Sequence, residues 1–165
     1  FRIQSSKVLE EQIKVVGGNP QVLPFSEVYP ALQQGVVDAT ENPLSNFYNS
    51  KFYEAQSSLT LSSHGYLGYL VVMSEKFWKG LPDDMKAHVT QALKEATAFE
   101  REETAKEEEH ILSELKKFAS ETKKLEIIEL NADQKGKWAE AMKPIYPNFY
   151  NVIGQDLVEK TINTK

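Results

Sequence analysis

The feature that most constrains the fold is a long stretch without glycine or proline, which runs from residue 83 to residue 135. An uninterrupted helix is predicted from Leu81 to about Phe118, nearly all of it within this stretch, and is roughly 37 residues and about 55 Å long at 1.5 Å per residue. Asp83 and Asp84 fall in its first turn, where acidic side chains interact favourably with the helix dipole. A helix of this length is far longer than most helices of globular domains, so it dominates any fold the chain adopts.

The apolar residues of this predicted helix form two separate stripes. They are Met85, Val89, Ala92, Leu93, Ala96 and Phe99 in the first stripe, and Ile111, Leu112, Leu115 and Phe118 in the second. Between the stripes, the charged segment 100–110 has little to bury. Two interpretations follow: a solvated or kinked helix, or a helix whose two ends pack on different bodies. No heptad persists for three repeats, which argues against a coiled coil.

The segments around this helix alternate strands and helices. Strands are predicted at Phe1–Gln4, Gln21–Phe25, Val36–Thr40, Ser57–Ser63, Gly65–Met73 and Leu125–Leu130. Helices are predicted after the first three strands, and again between Asn131 and Ile162, with interruptions at Pro144 and Pro147. Strand–helix repeats of this length are typical of βαβ units, so we expect an α/β fold with a parallel sheet. The first residues already form a predicted strand, so we also expect further residues upstream.

Composition excludes several classes of function. The net charge of −5 argues against nucleic acid or an anionic membrane surface as a partner. The chain has no cysteine, which excludes Cys-ligated zinc, Fe–S clusters, disulfides and thiol nucleophiles. We find no metal-ligand spacing, phosphate-binding glycine loop or convincing catalytic set, so we expect no metal, no cofactor and no catalytic residue.

Arg2 is the charged residue whose position most needs an explanation. It lies between Phe1 and Ile3 in a strand that we expect to be substantially buried. A buried guanidinium must be paired, and its fork geometry suits a carboxylate or a phosphate. Two interpretations stay open. Arg2 forms a structural ion pair, with Glu27, Asp38 or Glu41 as candidates, or it anchors an anionic ligand.

Two further polar residues are weaker candidates. Asn42 follows the third predicted strand and precedes Pro43, where ligands bind in open α/β sheets, although Asn before Pro is usually only a turn. His64 lies in an uncharged stretch, and a strand histidine with satisfied hydrogen bonds is the simpler interpretation.

Residues 25–43 form the most specific motif of the chain. They read FSEVYPALQQGVVDATENP, which resembles the signature of the solute-binding proteins of tripartite ATP-independent periplasmic (TRAP) transporters, the DctP family. The motif departs from that signature at Ala39, where the family commonly has glycine. The resemblance covers essentially the whole chain and continues in KFYE (51–54), HGYLGY (64–69), FWKGLP (77–82), the long helix and PIY (144–146). The segments SSKVL (5–9) and HGY (64–66) are most similar to the branch that binds C4-dicarboxylates.

This resemblance implies a periplasmic binding protein-like two-lobe α/β fold with a long lobe-spanning helix and most of the N-terminal lobe missing. Residues 1–67 would form the second lobe. Residues 68–107 would be crossing strands and the first part of the long helix, belonging to the first lobe. Residues 108–165 would return to the second lobe and end in helices.

The resemblance also implies a ligand site. By alignment with the family motifs, Arg2 binds the ligand carboxylate, Asn42 contacts the ligand and Phe25 packs on it. Ser5 falls where a polar contact is frequent, and His64 is a weaker candidate near the crossing between the lobes.

The expected function is therefore capture, not catalysis. The chain would take up a C4-dicarboxylate such as malate, succinate or fumarate in the periplasm and deliver it to the TRAP membrane permease. Other carboxylates, such as sialate or a 2-oxoacid, are alternative ligands. A small-acid hydrolase or lyase using His64 with a carboxylate, and a helical interaction protein built on Leu81–Phe118, are alternatives of a different class. The uncovered apolar faces would require the missing lobe or self-association of the fragment.

Overall fold

Short strands alternate with helices in the first third of the computed structural model, which describes residues 1–164. The elements are β1 (Arg2–Ile3), α1 (Lys7–Val15), β2 (Gln21–Val22), α2 (Val28–Gln33) and α3 (Leu44–Asn49). A 3-10 turn at Phe25–Glu27 precedes α2, and another at Phe52–Glu54 follows α3. Ser6 begins α1 as its N-cap, since its hydroxyl oxygen accepts a hydrogen bond from the Leu9 amide.

The remainder of the described chain is mostly helical. It comprises β3 (Ser58–Leu61), α4 (Glu75–Gly80), α5 (Asp83–Thr122), β4 (Glu126–Glu129), α6 (Ala132–Met142), a 3-10 segment (Lys143–Phe149), α7 (Tyr150–Ile153) and α8 (Gln155–Ile162). Asn131 and Gln134 form a capping box at the start of α6. The 3-10 segment contains Pro147, where the sequence predicts an interruption.

The strands form two small parallel pairs. β1 pairs with β2, with Arg2 opposite Gln21, and β3 pairs with β4, with Leu59 opposite Ile127. Thr40 forms an isolated parallel bridge with Arg2. Strand β1 therefore lies between β2 and Thr40. The predicted parallel pairing is confirmed.

The third predicted strand, Val36–Thr40, is reduced to that single bridge. The backbone amides of Val36 and Val37 donate to the Ala31 carbonyl oxygen at 2.9 and 3.4 Å. These bonds, with Gly35 at φ 69°, bend the chain sharply after α2 and leave only its end free to pair.

The prediction of a strand at Gly65–Met73 is wrong for the described residues, which contain no strand in that segment. Its side chains are largely exposed, with Tyr66 at 95% and Leu70 at 88%. A strand needs hydrogen-bonding partners on at least one side, and residues 1–164 supply none here.

The main core lies where the second half of α5 packs on α2, α3 and the strand pair β3–β4. Ile111 and Leu115 of α5 are 1% and 0% exposed. The buried residues of this core are Val28, Ala31, Leu32, Val37, Phe47, Phe52, Ile111, Leu115 and Leu125. The second apolar stripe of the predicted helix therefore buries as expected.

Helix α5 is unbroken over 40 residues, about 60 Å at 1.5 Å per residue. It begins after Pro82 and ends at Lys123, whose φ of 56° is left-handed. Residues 91–110 are exposed throughout. Of the first stripe, Val89 is half-buried, whereas Met85, Leu93 and Phe99 are exposed, with Phe99 at 66%. None of the helices in residues 1–164 is both long and apolar enough to cross a bilayer.

Candidate functional site

Strand β1 places the buried Arg2 side chain beside the C-terminal end of β2. Arg2 is 4% exposed, and its backbone amide donates to the Ala39 carbonyl oxygen at 2.7 Å. Its Nε and Nη2 donate to the Leu23 carbonyl oxygen at 3.1 and 2.9 Å. Two of the five guanidinium N–H groups are therefore used to orient the side chain, and three are available for another acceptor.

No carboxylate of the described residues lies within ion-pair distance of Arg2. Burial lowers the pKa of the guanidinium, and attraction from the Glu41 carboxylate opposes that shift. An arginine in a protein nevertheless stays protonated at neutral pH. The structural ion pairs considered for Arg2 are thus not formed, and its positive charge is left without a bonded counter-ion in residues 1–164.

Phe25 covers one side of this charge. The Arg2 Cζ atom lies 5.8 Å from the centroid of the Phe25 ring, within the range of a cation–π interaction. The ring also packs on the buried ring of Phe52, with centroids 5.7 Å apart. Phe25 itself is 45% exposed, so an apolar ring face remains open to a ligand beside the guanidinium.

Arg2, Phe25 and Asn42 line one open cleft of about 280 Å³. The other residues that line it are Gln4, Glu41, Pro43, Asn46, Leu67 and Tyr69. The cleft therefore combines one buried cation, neutral amides, one carboxylate and apolar walls. Such a surface suits a small, polar, negatively charged molecule with a short carbon skeleton.

Asn42 stands at the end of the chain segment that bridges to β1. Its Nδ2 donates to the Thr40 hydroxyl oxygen at 3.0 Å, which fixes the orientation of the amide. The following residue, Pro43, holds an extended backbone and precedes the first residue of α3. The predicted position of Asn42, just after a strand-like segment and before a helix, is the one the structure gives.

Ser5 and His64 do not line this cleft. Ser5 is exposed, and its neighbour Ser6 is the residue that caps α1. His64 Nδ1 lies 2.7 Å from the Ser62 hydroxyl oxygen, and its ring centroid is 5.8 Å from that of Trp138. Among the described hydrogen bonds, His64 has no carboxylate partner, so the acid–base pair required by the hydrolase alternative is not assembled. Residues 1–164 also contain no cluster of potential metal ligands.

Sequence reasoning missed several residues of the cleft. The role of the Leu23 carbonyl could not be predicted from residue types, because every residue has a backbone carbonyl. Leu67 and Tyr69 belong to segment 65–73, for which the sequence pattern predicts a strand and not a cleft wall. Asn46 offered a signal, since it follows Asn42 by four residues at the start of a predicted helix, a spacing that can place two side chains near each other.

Comparison with known proteins identifies the family of the chain. The family model for the bacterial extracellular solute-binding protein, family 7 (DctP), matches residues 1–152. The chain belongs to that family. Its members are solute-binding proteins rather than enzymes, which confirms the predicted family and the prediction that the chain is not an enzyme.

Several relatives of the DctP family match nearly the whole of this chain, over less than half of their own length. The C4-dicarboxylate-binding periplasmic protein DctP of Rhodobacter capsulatus is 41% identical over 158 residues, which are 96% of this chain and 46% of that protein. The chain spans about half the length of the curated relatives it matches.

Solved structures of TRAP periplasmic solute-binding proteins share the fold. The Sulfurospirillum deleyianum protein, with bound succinate, is 59% identical with a TM-score of 0.90, and the match covers 100% of this chain and 53% of that chain. The Shewanella oneidensis protein, also with bound succinate, is 37% identical with a TM-score of 0.86, covering 98% and 52%. These matches confirm the predicted α/β binding-protein fold, and this chain corresponds to about half of each of these solved chains.

Proposed function

We propose that this chain contains the carboxylate-binding site of a TRAP-type solute-binding protein that captures C4-dicarboxylates. The observation that supports this most strongly is the buried Arg2 guanidinium, which lines a cleft and has no bonded carboxylate in residues 1–164. A ligand carboxylate would complete the site by accepting two charge-assisted hydrogen bonds from the free N–H groups. Asn42 would fix its orientation and Phe25 would cover the carbon skeleton. The succinate found in the Sulfurospirillum relative supports this choice of ligand class.

The proposed cycle needs no chemical step. Ligand binds to the charged cleft, and the closed form of the whole protein is selected because it makes additional contacts to the ligand. The loaded protein then delivers the acid to the TRAP membrane permease. The periplasm is the proposed location, since the Rhodobacter relative is named as a periplasmic protein.

Titration calorimetry tests the ligand class. We would titrate succinate, L-malate, fumarate and sialate into the 165-residue chain, and into a longer chimera that carries the amino-terminal half of the Sulfurospirillum relative ahead of residue 1. Saturable binding of the dicarboxylates with unchanged ligand recovered afterwards is expected. Preferred binding of sialate would overturn the ligand class, and recovery of a new product would overturn capture. Absence of binding in both chains would overturn the site.

The exposed segment 65–73 is proposed to pack against the N-terminal lobe, corresponding to the half of the relatives that this chain does not cover. Its apolar side chains are the reason: Val72 is 84% exposed, and Tyr66 and Leu70 are more exposed still. Met85 and Phe99 of α5 are further exposed apolar side chains. Exposed apolar surface of this kind favours association.

On its own, the 165-residue chain is therefore expected to self-associate through segment 65–73. Sedimentation velocity over a wide range of concentrations measures this. The double variant Leu70→Ser, Val72→Ser should shift the distribution to monomer, whereas the exposed-site control Thr60→Ser should not. A monomeric wild-type chain would contradict self-association, and the chimera should be monomeric if the N-terminal lobe covers the segment.

A further inference from the structure

The side-chain amides of Gln4 and Asn46 line the cleft but have no role in the site described so far. Gln4 is exposed to solvent, so Asn46 is the more confined of the two. Asn46 lines the cleft with Arg2 and Asn42, and is half-buried in the first turn of α3. Its backbone carbonyl accepts a hydrogen bond from the Ser50 amide, but its side chain has no hydrogen-bond partner among the described residues. A half-buried amide with two free donors and one free acceptor is suited to bind a polar atom that enters the cleft.

The position of Asn46 is well determined by its neighbour in the helix. Phe47 is 6% exposed and packs edge-on against Phe52, with ring centroids 6.4 Å apart. This packing holds α3 against the core. Because adjacent residues of a helix face different directions, burial of Phe47 leaves Asn46 at the cleft surface. A side chain on a rigid helix is positioned more precisely than one on a loop, so it discriminates better between ligands.

The other polar groups of the cleft differ in how many hydrogen-bond donors remain free. Arg2 uses two donors to bind the Leu23 carbonyl, and Asn42 uses one amide hydrogen to bind the Thr40 hydroxyl. Glu41 is a carboxylate, so it cannot donate a hydrogen bond to an acidic ligand while ionised. Arg2 still keeps three free donors for the first carboxylate. Asn46 keeps both amide hydrogens of its side chain for a second ligand oxygen.

We propose that Asn46 is a specificity-determining residue, whose side-chain amide donates a hydrogen bond to an oxygen of the ligand's second carboxylate. This inference rests on the proposed function, because it assumes that the first carboxylate is bound at Arg2. Asn46 then distinguishes a dicarboxylate from a monocarboxylate of the same length. Its neutral amide does this without adding charge to a cleft that already contains Glu41.

The test compares succinate with butyrate, which has the same four carbons and one carboxylate fewer. Both affinities are measured by calorimetry, directly or by competition, in the chain or chimera that binds succinate. Asn46→Ala should weaken succinate binding by about 10-fold or more, the size expected for a lost hydrogen bond to a charged group, and leave butyrate binding unchanged. Asn46→Asp should weaken succinate binding further, since it brings a like charge to the second carboxylate. Asn49→Ala is the matched control, because Asn49 is an exposed residue of the same helix outside the cleft.

Each result separates the assignment of Asn46 from the proposed function. Succinate binding unchanged in Asn46→Ala, or equal losses for succinate and butyrate, would overturn the role of Asn46 while leaving capture intact. Equal effects of Asn46→Ala and Asn46→Asp would also overturn it. Failure of the unmodified protein to bind succinate at all would instead overturn the proposed function. Urea unfolding midpoints of the variants that match wild type exclude loss of fold as the cause.

Discussion

The Leu23 carbonyl oxygen accepts two hydrogen bonds from the Arg2 guanidinium, at 3.1 and 2.9 Å. The two residues are 21 positions apart, and the parallel pairing of β1 with β2 brings them together. A neutral carbonyl orients the guanidinium without cancelling its charge. The arrangement therefore keeps a buried cation in a defined direction beside the cleft, where an acidic ligand would supply the missing negative charge.

This arrangement predicts that Arg2→Lys weakens succinate binding by about 10-fold or more. An ammonium group lacks the planar fork, so it cannot keep both bonds to Leu23 and also bind a carboxylate through two donors. Calorimetry measures the effect. Arg101→Lys is the control, because Arg101 is the only other arginine and is exposed on α5. An unchanged dissociation constant in Arg2→Lys would remove Arg2 from the site.

The second half of α5 should be much more important for stability than the first half. Leu115 is 0% exposed in the main core, and Leu93 is 38% exposed on the same helix. Leu115→Ala should lower the free energy of unfolding by about 2–5 kcal/mol, the cost of a cavity in a well-packed core. Leu93→Ala, measured by the same urea unfolding, should cost well under half of that in the 165-residue chain. Comparable losses at the two positions would contradict the described packing.

The charge cluster of α1 predicts an acid-dependent contribution to stability. Hydrogen bonds from Lys14 and Lys7 lower the pKa of Glu10 from 4.5 to about 2. A carboxyl group with a lowered pKa in the folded state stabilises the fold above its unfolded pKa of 4.5. That contribution is lost as the pH falls from 4.5 towards 2. Carbon-detected NMR titration should find Glu10 ionised down to about pH 2.

The matched variant for this titration is Lys14→Met, which removes the partner with the largest effect on Glu10. The pKa of Glu10 should then rise towards its ordinary value. Because these side chains are solvent-exposed, added salt should have the same direction of effect. Titration of Glu10 near its ordinary pKa in the unmodified chain would show that the contacts to lysine are not maintained in solution.

The left-handed residue at the end of α5 predicts a stabilising substitution. Lys123 has φ 56°, and its amide donates to the Ala119 carbonyl oxygen as the helix ends. Glycine adopts this conformation without a clash at Cβ, so Lys123→Gly should raise the free energy of unfolding by about 0.5–1 kcal/mol. Lys124→Gly is the control, because Lys124 does not have a positive φ and gains nothing from glycine. Thermal unfolding that ranks the two variants in the reverse order would contradict this helix end.

The parts of the fold that depend on near neighbours in the chain were predictable. Helix α5 follows from the lack of glycine and proline and from the periodicity of its second stripe, which includes Ile111 and Leu115. The residues after Val36 were harder, since a strand pattern competes there with hydrogen bonds to Ala31 that close the end of α2. The segment after Gly65 was predicted wrongly, because its apolar pattern suits a strand but its state depends on a pairing partner.

The features of the candidate site also separate into those that the sequence predicts and those that depend on the tertiary structure. The sequence alone determined that a guanidinium stands in a buried strand, that Phe25 and Asn42 lie at the two ends of the DctP-like motif, and that the chain is α/β. These features depend on residue type and local spacing. Only the tertiary structure decided that Leu23 orients Arg2, that Glu41 is near it without pairing, and that Asn46 shares the cleft while Ser5 and His64 do not. Those relationships depend on which distant segments the parallel pairing of β1 with β2 and the burial of Phe47 bring together, and distances between remote residues are set by packing rather than by the order of residues in the chain.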